Sequence, residues 1–469
     1  MLNNWEPAFK QARTFLLAKQ LAFSVFTCLG KHTITGLLSA SGKQFEDWTK
    51  HYRLFSQDRI DLDQLYAPII EKVVDQQPDQ SFVVAHMDDT ILRKTGKKVN
   101  GTAWRRDPLG PSFHTNFIWG QRFIQVSLAL PDVVGSGAAR SIPVNFHHCP
   151  TPVKPKKDAS QEQREQYKEV KKQSRLSLQG CDCLVKLRGQ LDRQGGKGHQ
   201  LVVSVDGSYT NETVLKSVPE RTVIIGRIRK DAKLSALPES SAGKPGRNQC
   251  YGEDLPTPEQ IRQSEEYPWL EVEAFAAGKK HTFQIKQLTH IRWRKAGGKQ
   301  NLQLVVIRPL SYRLTKNSRL LYRQPAYLIC TDPDMSLDQL LQAYLWRWQI
   351  EVNFREQKSI LGCGQAQVRH KEAVEKVPAF ITAGYSLLQL AAHITEKEKG
   401  LTTMPPEKWY PDKRKKRKTT GDVINLFRAQ IWARSAEINF DHFVNNKNKS
   451  RSAFNAANLS SHPEFFIRK

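Results

Sequence analysis

The chain has 469 residues, enough at about 100 to 200 residues per domain for two to four domains with sizeable cores, so disorder is not the expected state. Lys and Arg number 72 against 46 Asp and Glu, and the net charge of +26 is out of place on an enzyme of small neutral substrates and points to a polyanionic partner. The longest N-terminal apolar run, Leu21 to Gly30, lacks a signal-peptide cleavage pattern, and no span of about 18 apolar residues is found, so no membrane-spanning helix is expected.

The seven cysteines are scattered, and Cys181 and Cys183 stand too close for a metal knuckle, which reads as free thiols in a reducing compartment. Trp5, Phe9, Ala12, Leu16 and Phe23 recur at helical spacing and predict helices over roughly the first 75 residues. Within them, a short helix at Thr33 to Leu38, a turn at Ser41-Gly42 and a helix from Phe45 to Phe55 are compatible with a helix-turn-helix or with any small basic bundle. In that second helix Trp48 and Tyr52 are expected inward, and Lys50, His51 and Arg53 outward.

From about residue 81 short apolar runs of the buried-strand kind take over. Phe82 to Met87 ends in Asp88-Asp89-Thr90, and Leu201 to Val205 ends in Asp206-Gly207-Ser208. Thr115 to Trp119 is expected to pair with Phe123 to Leu130 through a turn at Gly120-Gln121. Residues 151–195 read as a charged surface excursion with a long exposed helix. Thr222 to Ile225 is a third strand, followed by Arg227 and Arg229, and residues 238–254 form a Pro/Gly/Ser loop. Alternating segments such as Thr282 to Leu288 and Leu302 to Ile307 predict antiparallel strands of a β-rich insertion. Tyr327 to Cys330 returns to the buried style, and Ser336 to Leu361 is the strongest helix, with Ser336 as N-cap. Beyond residue 395 the chain is basic, and the run Lys413 to Lys418 fits a DNA-backbone contact, a nuclear signal or a solvated tail. His147-His148-Cys149 lacks a second ligand cluster for zinc, and His86 reads as a packed core histidine.

Two strands that each end in aspartate place Asp88 and Asp206 at one edge of a parallel sheet, where open α/β sheets build their sites. At about 100° per residue, Tyr344, Arg347, Glu351 and Lys358 share a stripe of the long helix beside the apolar stripe of Leu341, Leu345, Trp348 and Val352. An Arg347–Glu351 pair four residues apart would be worth only about a few tenths of a kcal/mol. The aromatic border of the stripe suits a buried or DNA-covered face better. Three converging carboxylates without His or Cys suit hard divalent cations held through oxygen.

The spacing of Tyr344, two residues, Arg347, three residues, Glu351, six residues, Lys358 resembles the signature of the IS4-type DDE transposases, the Tn5 transposase-like group. The resemblance covers roughly residues 80–390. It implies an α/β, RNase H-like (retroviral integrase-like) catalytic core with a β-strand insertion, flanked by helical N- and C-terminal regions. It further implies that Asp88, Asp206 and Glu351 hold two Mg²⁺ ions, with Mn²⁺ as a substitute, and that Asp89 is the alternative first ligand. The family pattern of Asp, any residue, then Ser or Thr fits Asp88-Asp89-Thr90. Cut-and-paste transposition would follow: nicking by water, attack of the freed 3′-hydroxyl to form a hairpin, opening of the hairpin, and joining to target DNA. Tyr344, Arg347 and Lys358 would bind terminal phosphates, Trp348 would lie against the hairpin bases, and Tyr327, where some relatives carry Trp, would stack on a flipped base. Arg227 and Arg229 resemble the family's phosphate-binding arginine segment. The implied partners are double-stranded DNA, both transposon ends and target, and a second copy of the chain in a synaptic homodimer, in the cytoplasm of a bacterium and associated with the nucleoid. A structure-specific nuclease and a catalytically silent DNA-binding relative are the alternatives. The implied division is a helical DNA-binding domain at 1–78, the core at 79–230 and 326–394, the insertion at 231–325, and a basic region for dimerisation or DNA contact at 395–469.

Overall fold

A computed structural model describes residues 1–77, 82–107, 109–111, 113–133, 135–238, 249–313, 317–400 and 418–435. Most of the run Lys413 to Lys418 and most of the 238–254 loop therefore lie outside the described residues. After a 3-10 turn at Leu2–Ala8 come helices α1 (Ala12–Thr27), α2 (Ile34–Ala40), α3 (Thr49–Ser56) and α4 (Leu62–Val74). Thr33 caps α2 by accepting from the Gly36 amide, and Asp61 caps α4. Strands β1 (Val83–Arg93), β2 (Ala103–Arg106), β3 (Phe117–Pro131) and β4 (Ala139–Cys149) follow, then α5 (Gln161–Gln173) and α6 (Leu176–Arg193). Next are β5 (Leu201–Val205), α7 (Glu212–Leu215), β6 (Thr222–Arg227), β7 (Leu234–Ser235), β8 (Asp254–Leu255) and α8 (Pro258–Gln263). Strands β9 (Leu270–Ala276), β10 (Lys279–Trp293), β11 (Leu302–Ile307), β12 (Ser311–Tyr312), β13 (Leu321–Tyr322) and β14 (Ala326–Cys330) lead to α9 (Leu337–Trp346), α10 (Trp348–Ser359), α11 (Lys371–Lys399) and α12 (Thr420–Ser435).

Twelve strands form one mixed sheet in the order β2-β3-β1-β5-β6-β14-β11-β10-β7-β8, with β4 also on β3 and β9 also on β10. β1, β5 and β6 run parallel, while β3 and β14 pair antiparallel at either side of them. Strands β7 to β11 of the 231–325 segment thus extend the central sheet through β14, while β12 and β13 form a separate two-stranded sheet.

The period-2 alternation of side chains divides the core between the two faces of the sheet. Val83, Ala85 and Met87 of β1 join Leu201, Val203 and Val205 of β5 in a core shared with the N-terminal helices, α6 and α11. Val84, Val202, Val223 and Ile225 face the other way, onto α9 and Phe283 of β10. The N-terminal helices dock on α11: Trp5 and Phe55 each pack 5.5 Å from Phe380, and the buried Tyr66 hydroxyl donates to the Ala379 carbonyl at 2.9 Å.

Several local expectations are corrected. The hairpin expected at Gly120-Gln121 is one continuous strand, β3, which exchanges partners there: Trp119 pairs with Trp104 of β2, and Phe123 with His148 of β4. Gly120 is required because a Cβ would stand 2.7 Å from the Leu92 carbonyl oxygen. In α3 the expected faces are reversed for two residues: Trp48 is 55% exposed, edge-on to Tyr52, and His51 is buried. Leu16 and Phe23 of α1 are also exposed. The single helix from Ser336 to Leu361 is interrupted at Arg347, and the Ser336 side chain makes no cap hydrogen bond. Finally, α11 is long and apolar enough to cross a membrane, against the expectation that no such span exists, yet 78% of its apolar window is buried inside the protein as a core helix.

Candidate active site

Parallel pairing of β1, β5 and β6 aligns Met87 with Val205 and Val205 with Gly226, so the next step sets Asp88, Asp206 and Arg227 side by side where β5 and β6 end. The first strand does not end there as expected, since antiparallel pairing with β3 carries β1 through Asp88 to Arg93. The loop after β5 is pinned from within. The Ser208 amide donates to Asp206 Oδ1 at 2.8 Å, and the Thr210 hydroxyl donates to the Asp206 carbonyl at 2.9 Å. Room for Thr210 exists because residue 226 is glycine; a Cβ there would stand 2.1 Å from Thr210 Oγ1. Gly226→Ala is therefore expected to break the Thr210 bond, shift Asp206 and cost about 1–3 kcal/mol, as overpacking does, which thermal denaturation would register as a lowered Tm.

Asp88 is 8% exposed, and Arg347 Nη1 donates to its Oδ2 at 3.2 Å. Burial and the neighbouring Asp206 charge push its carboxyl up to about 7, against the pull of Arg347. Asp89 lies on the opposite face of β1, as strand alternation requires. Its carboxylate meets Arg122 Nε at 3.2 Å and the Tyr209 hydroxyl at 3.3 Å. Burial pushes Asp89 upward too, with Arg122 opposing. Gly180 of α6 makes space for the Tyr209 ring, since a Cβ there would lie 2.9 Å from it.

Arg347 occupies the break between α9 and α10, with the Tyr344 ring 5.9 Å from its guanidinium and its Nε buried without a hydrogen-bond partner. Its ion pair goes to Asp88, across the sheet face, rather than to Glu351. Both helices are held there by buried polar contacts. Ser204 of β5 donates to the Ala343 carbonyl at 3.0 Å, Asn353 to the Ser141 carbonyl at 2.9 Å, and Gln357 to Gln125 at 2.8 Å. His86 is buried against Ser141 at 3.1 Å, and burial lowers its pKa to about 3.

The remaining residues singled out by sequence sit as follows. Glu351 is exposed on α10, with Lys358 as an electrostatic neighbour. Lys358 lies over the Phe354 ring at 5.8 Å. Trp348 is 65% exposed. Arg227 is exposed at the end of β6, and Arg229 is exposed and paired with Asp231 at 2.9 Å. Tyr327 is 6% exposed; its hydroxyl donates to Glu259, and it lines a cleft with Lys230, Arg262 and Gln324. The structure thus brings Asp88, Asp206 and Arg347 together. Among the described residues no group of three or more His, Cys, Asp and Glu is gathered so as to hold a metal ion. The donor set that is gathered, two carboxylates of which Asp88 is raised by burial and by the charge of Asp206, is of the oxygen-only kind that hard divalent cations take. Sequence reading did not single out Arg122, Tyr209 or Thr210. The signal for the last two lay in their position within Asp206-Gly207-Ser208-Tyr209-Thr210, directly after the strand.

An acidic pair formed by Asp88 within β1 and Asp206 just past the end of β5, with Arg347 beside it on a strongly basic chain, suits work on a phosphate backbone. A family model described as DDE superfamily endonuclease matches residues 6–299, and the chain belongs to that family. It is accordingly of the transposase or nuclease type and acts on DNA, and divalent metals are the general cofactors of such enzymes. The matched region contains Asp88, Asp206, Arg227 and Arg229 and ends before Tyr327, Tyr344, Arg347, Trp348, Glu351 and Lys358. No curated protein matches the chain.

Proposed function

We propose that this protein is a DNA transposase of the IS4 type that cuts and pastes an insertion sequence, with Asp88, Asp206 and Glu351 as its acidic trio. The observation that carries this reading is the Asp88–Asp206 pair, set side by side by parallel register and met by Arg347 from the helix pair on which Glu351 follows four residues later. The strand order β4-β3-β1-β5-β6, with β1, β5 and β6 parallel and β3 antiparallel, supports an RNase H-like core at 79–230 and 326–394. Asp88 is preferred to Asp89 because Asp89 is engaged on the other face by Arg122 and Tyr209.

In this reading Asp88, Asp206 and Glu351 would hold two Mg²⁺ ions. When bound, these supply the positive charge that lowers the pKa of an attacking hydroxyl and stabilises the leaving oxygen. Arg347 grips a terminal phosphate bidentately, a role for which its unpartnered Nε is suited. Tyr344 and Lys358 flank that phosphate, Arg227 and Arg229 bind the backbone beyond β6, and Trp348, already exposed, lies against hairpin bases. Tyr327 stacks on the flipped base from its cleft beside Lys230 and Arg262. The N-terminal helices at 1–78 bind DNA, the 231–325 segment is the family's β-strand insertion, and the basic region from 395 serves dimerisation or DNA contact in a synaptic homodimer.

The test is an assay of the purified protein with Mg²⁺ on DNA carrying the ends that flank its own gene, with a target plasmid present. Hairpins followed by joined target products are the expected result. Nicks without joined products would replace the transposase reading by a structure-specific nuclease. Binding without any cleavage would replace it by a silent DNA-binding relative.

A further inference from the structure

Strands β2 and β3 leave the sheet as a two-stranded ribbon whose cross-strand pairs Trp104–Trp119 and Arg106–Phe117 fall on one face. Trp104 is 66% exposed and Phe117 60% exposed, an arrangement that leaves large apolar rings in water. The rings are held in place. Trp119 donates its indole N–H to the Gly96 carbonyl at 3.3 Å, and Trp104 packs edge-on against it at 5.6 Å. The base of the ribbon is also fixed. Gly101 has a φ of +72°, a Cβ on it would meet the His148 ring at 2.5 Å, and Gln121 donates to the Asn100 carbonyl at 2.7 Å. The surroundings are basic, with Arg106 on the ribbon and exposed Lys97 and Lys98 beside it, and with Arg93 paired to Asp107 at 3.7 Å.

We propose that this ribbon face is a docking surface for unpaired DNA bases, with Trp104 and Phe117 as stacking platforms and Arg106 and the adjacent lysines as backbone contacts. Exposed aromatic rings interleaved with cations are what single strands use, because every base has a π-face and every nucleotide a phosphate. Positive charge on the face disfavours a second copy of this +26 chain as its occupant and favours a polyanion. The surface is separate from the acidic edge. Arg93 pairs with Gly120 and Asp88 with Gln125, five residues along the strand, a separation of about 17 Å at about 3.4 Å per residue. It would hold strands separated near the cleavage site, and it rests on the reading that the chain acts on DNA.

The experiment measures fluorescence anisotropy of a labelled 20-nucleotide single strand and of the corresponding duplex, in EDTA so that no cleavage intervenes. Wild type is compared with Trp104→Ala/Phe117→Ala. Because both replaced rings are exposed, the double variant is expected to fold, and its circular dichroism melt is the check. Single-strand affinity should fall about tenfold or more in the double variant, by the worth of two stacked bases, while its duplex affinity changes less than about twofold. Equal losses on single strand and duplex, or no loss on either, would overturn the proposal. So would a fall in oligomeric state of the double variant by sedimentation with single-strand affinity intact, which would make the ribbon an interface between copies. Duplex cleavage by the double variant in Mg²⁺ separates the two readings. Cleavage retained with single-strand binding unchanged defeats the ribbon alone, and no cleavage even by wild type defeats the enzyme reading.

Discussion

Asp206→Asn is expected to lower the rate of DNA strand cleavage by at least about a thousandfold, the loss that follows when several kcal/mol of metal-borne charge stabilisation is withdrawn from the transition state. Asparagine keeps the size and the ability to accept from the Ser208 amide, so the loop after β5 should remain as it is. Duplex affinity in EDTA should therefore stay within about twofold of wild type, because affinity is governed by phosphate contacts across a strongly basic chain. Single-turnover cleavage on a denaturing gel, alongside anisotropy on the same DNA, separates the two quantities. Glu351→Gln should show the same split on the proposed assignment. Cleavage by either variant at a rate near wild type would remove that carboxylate from the chemistry.

Asp88→Asn should raise the thermal stability of the metal-free protein at neutral and alkaline pH. The Asp88 carboxyl is pushed up to about 7 by burial and by Asp206, whereas in the unfolded chain it titrates near about 3.9. The folded state thus binds the proton more tightly. Its destabilisation by the ionised form is absent below about pH 4, grows as the pH rises toward about 7, and is complete above that. The gap between the folded and unfolded values sets an upper bound of about 4 kcal/mol. The loss of Arg347's partner opposes the gain, so about 1–3 kcal/mol at pH 8 is the expected net effect. Thermal denaturation in EDTA at pH 4.5 and pH 8 measures it. A variant equal to wild type at both values would mean that the acidic pair carries no unrelieved charge.

The two strands that carry Asp88 and Asp206 were legible because a buried strand is a continuous apolar run, but the charges at 88 and 89 read as the end of a strand that in fact continues to Arg93 on the strength of its pairing with β3. The helical stripe was legible in part. Periodicity placed Tyr344 and Arg347 on one face, but the partner of Arg347, Asp88, lies 259 positions away and has no local signal. The different surroundings of Asp88 and Asp89 also emerge only once β5 and the Tyr209 ring lie beside β1. The continuity of β3 was illegible for a similar reason. Gly120 looks like a turn residue in sequence, whereas the close approach of the Leu92 carbonyl is a tertiary fact. The polar residues that dock α10 on the sheet, Asn353 and Gln357, carry no sequence signal, because their partners Ser141 and Gln125 lie more than 200 positions away. His51 and Trp48 exchanged their expected environments because the N-terminal helices pack on α11, an element more than 300 positions away.

The most direct test of the acidic edge as the seat of a divalent cation is a titration of Mn²⁺ into the full-length protein, followed by electron paramagnetic resonance of the free ion, for wild type, Asp206→Asn and Glu351→Gln. Asp206→Asn should weaken binding by more than the about 10- to 100-fold that follows from losing a residue which merely orients a ligand, and Glu351→Gln should weaken it as well. Wild-type affinity in Asp206→Asn would place the metal elsewhere and contradict the account.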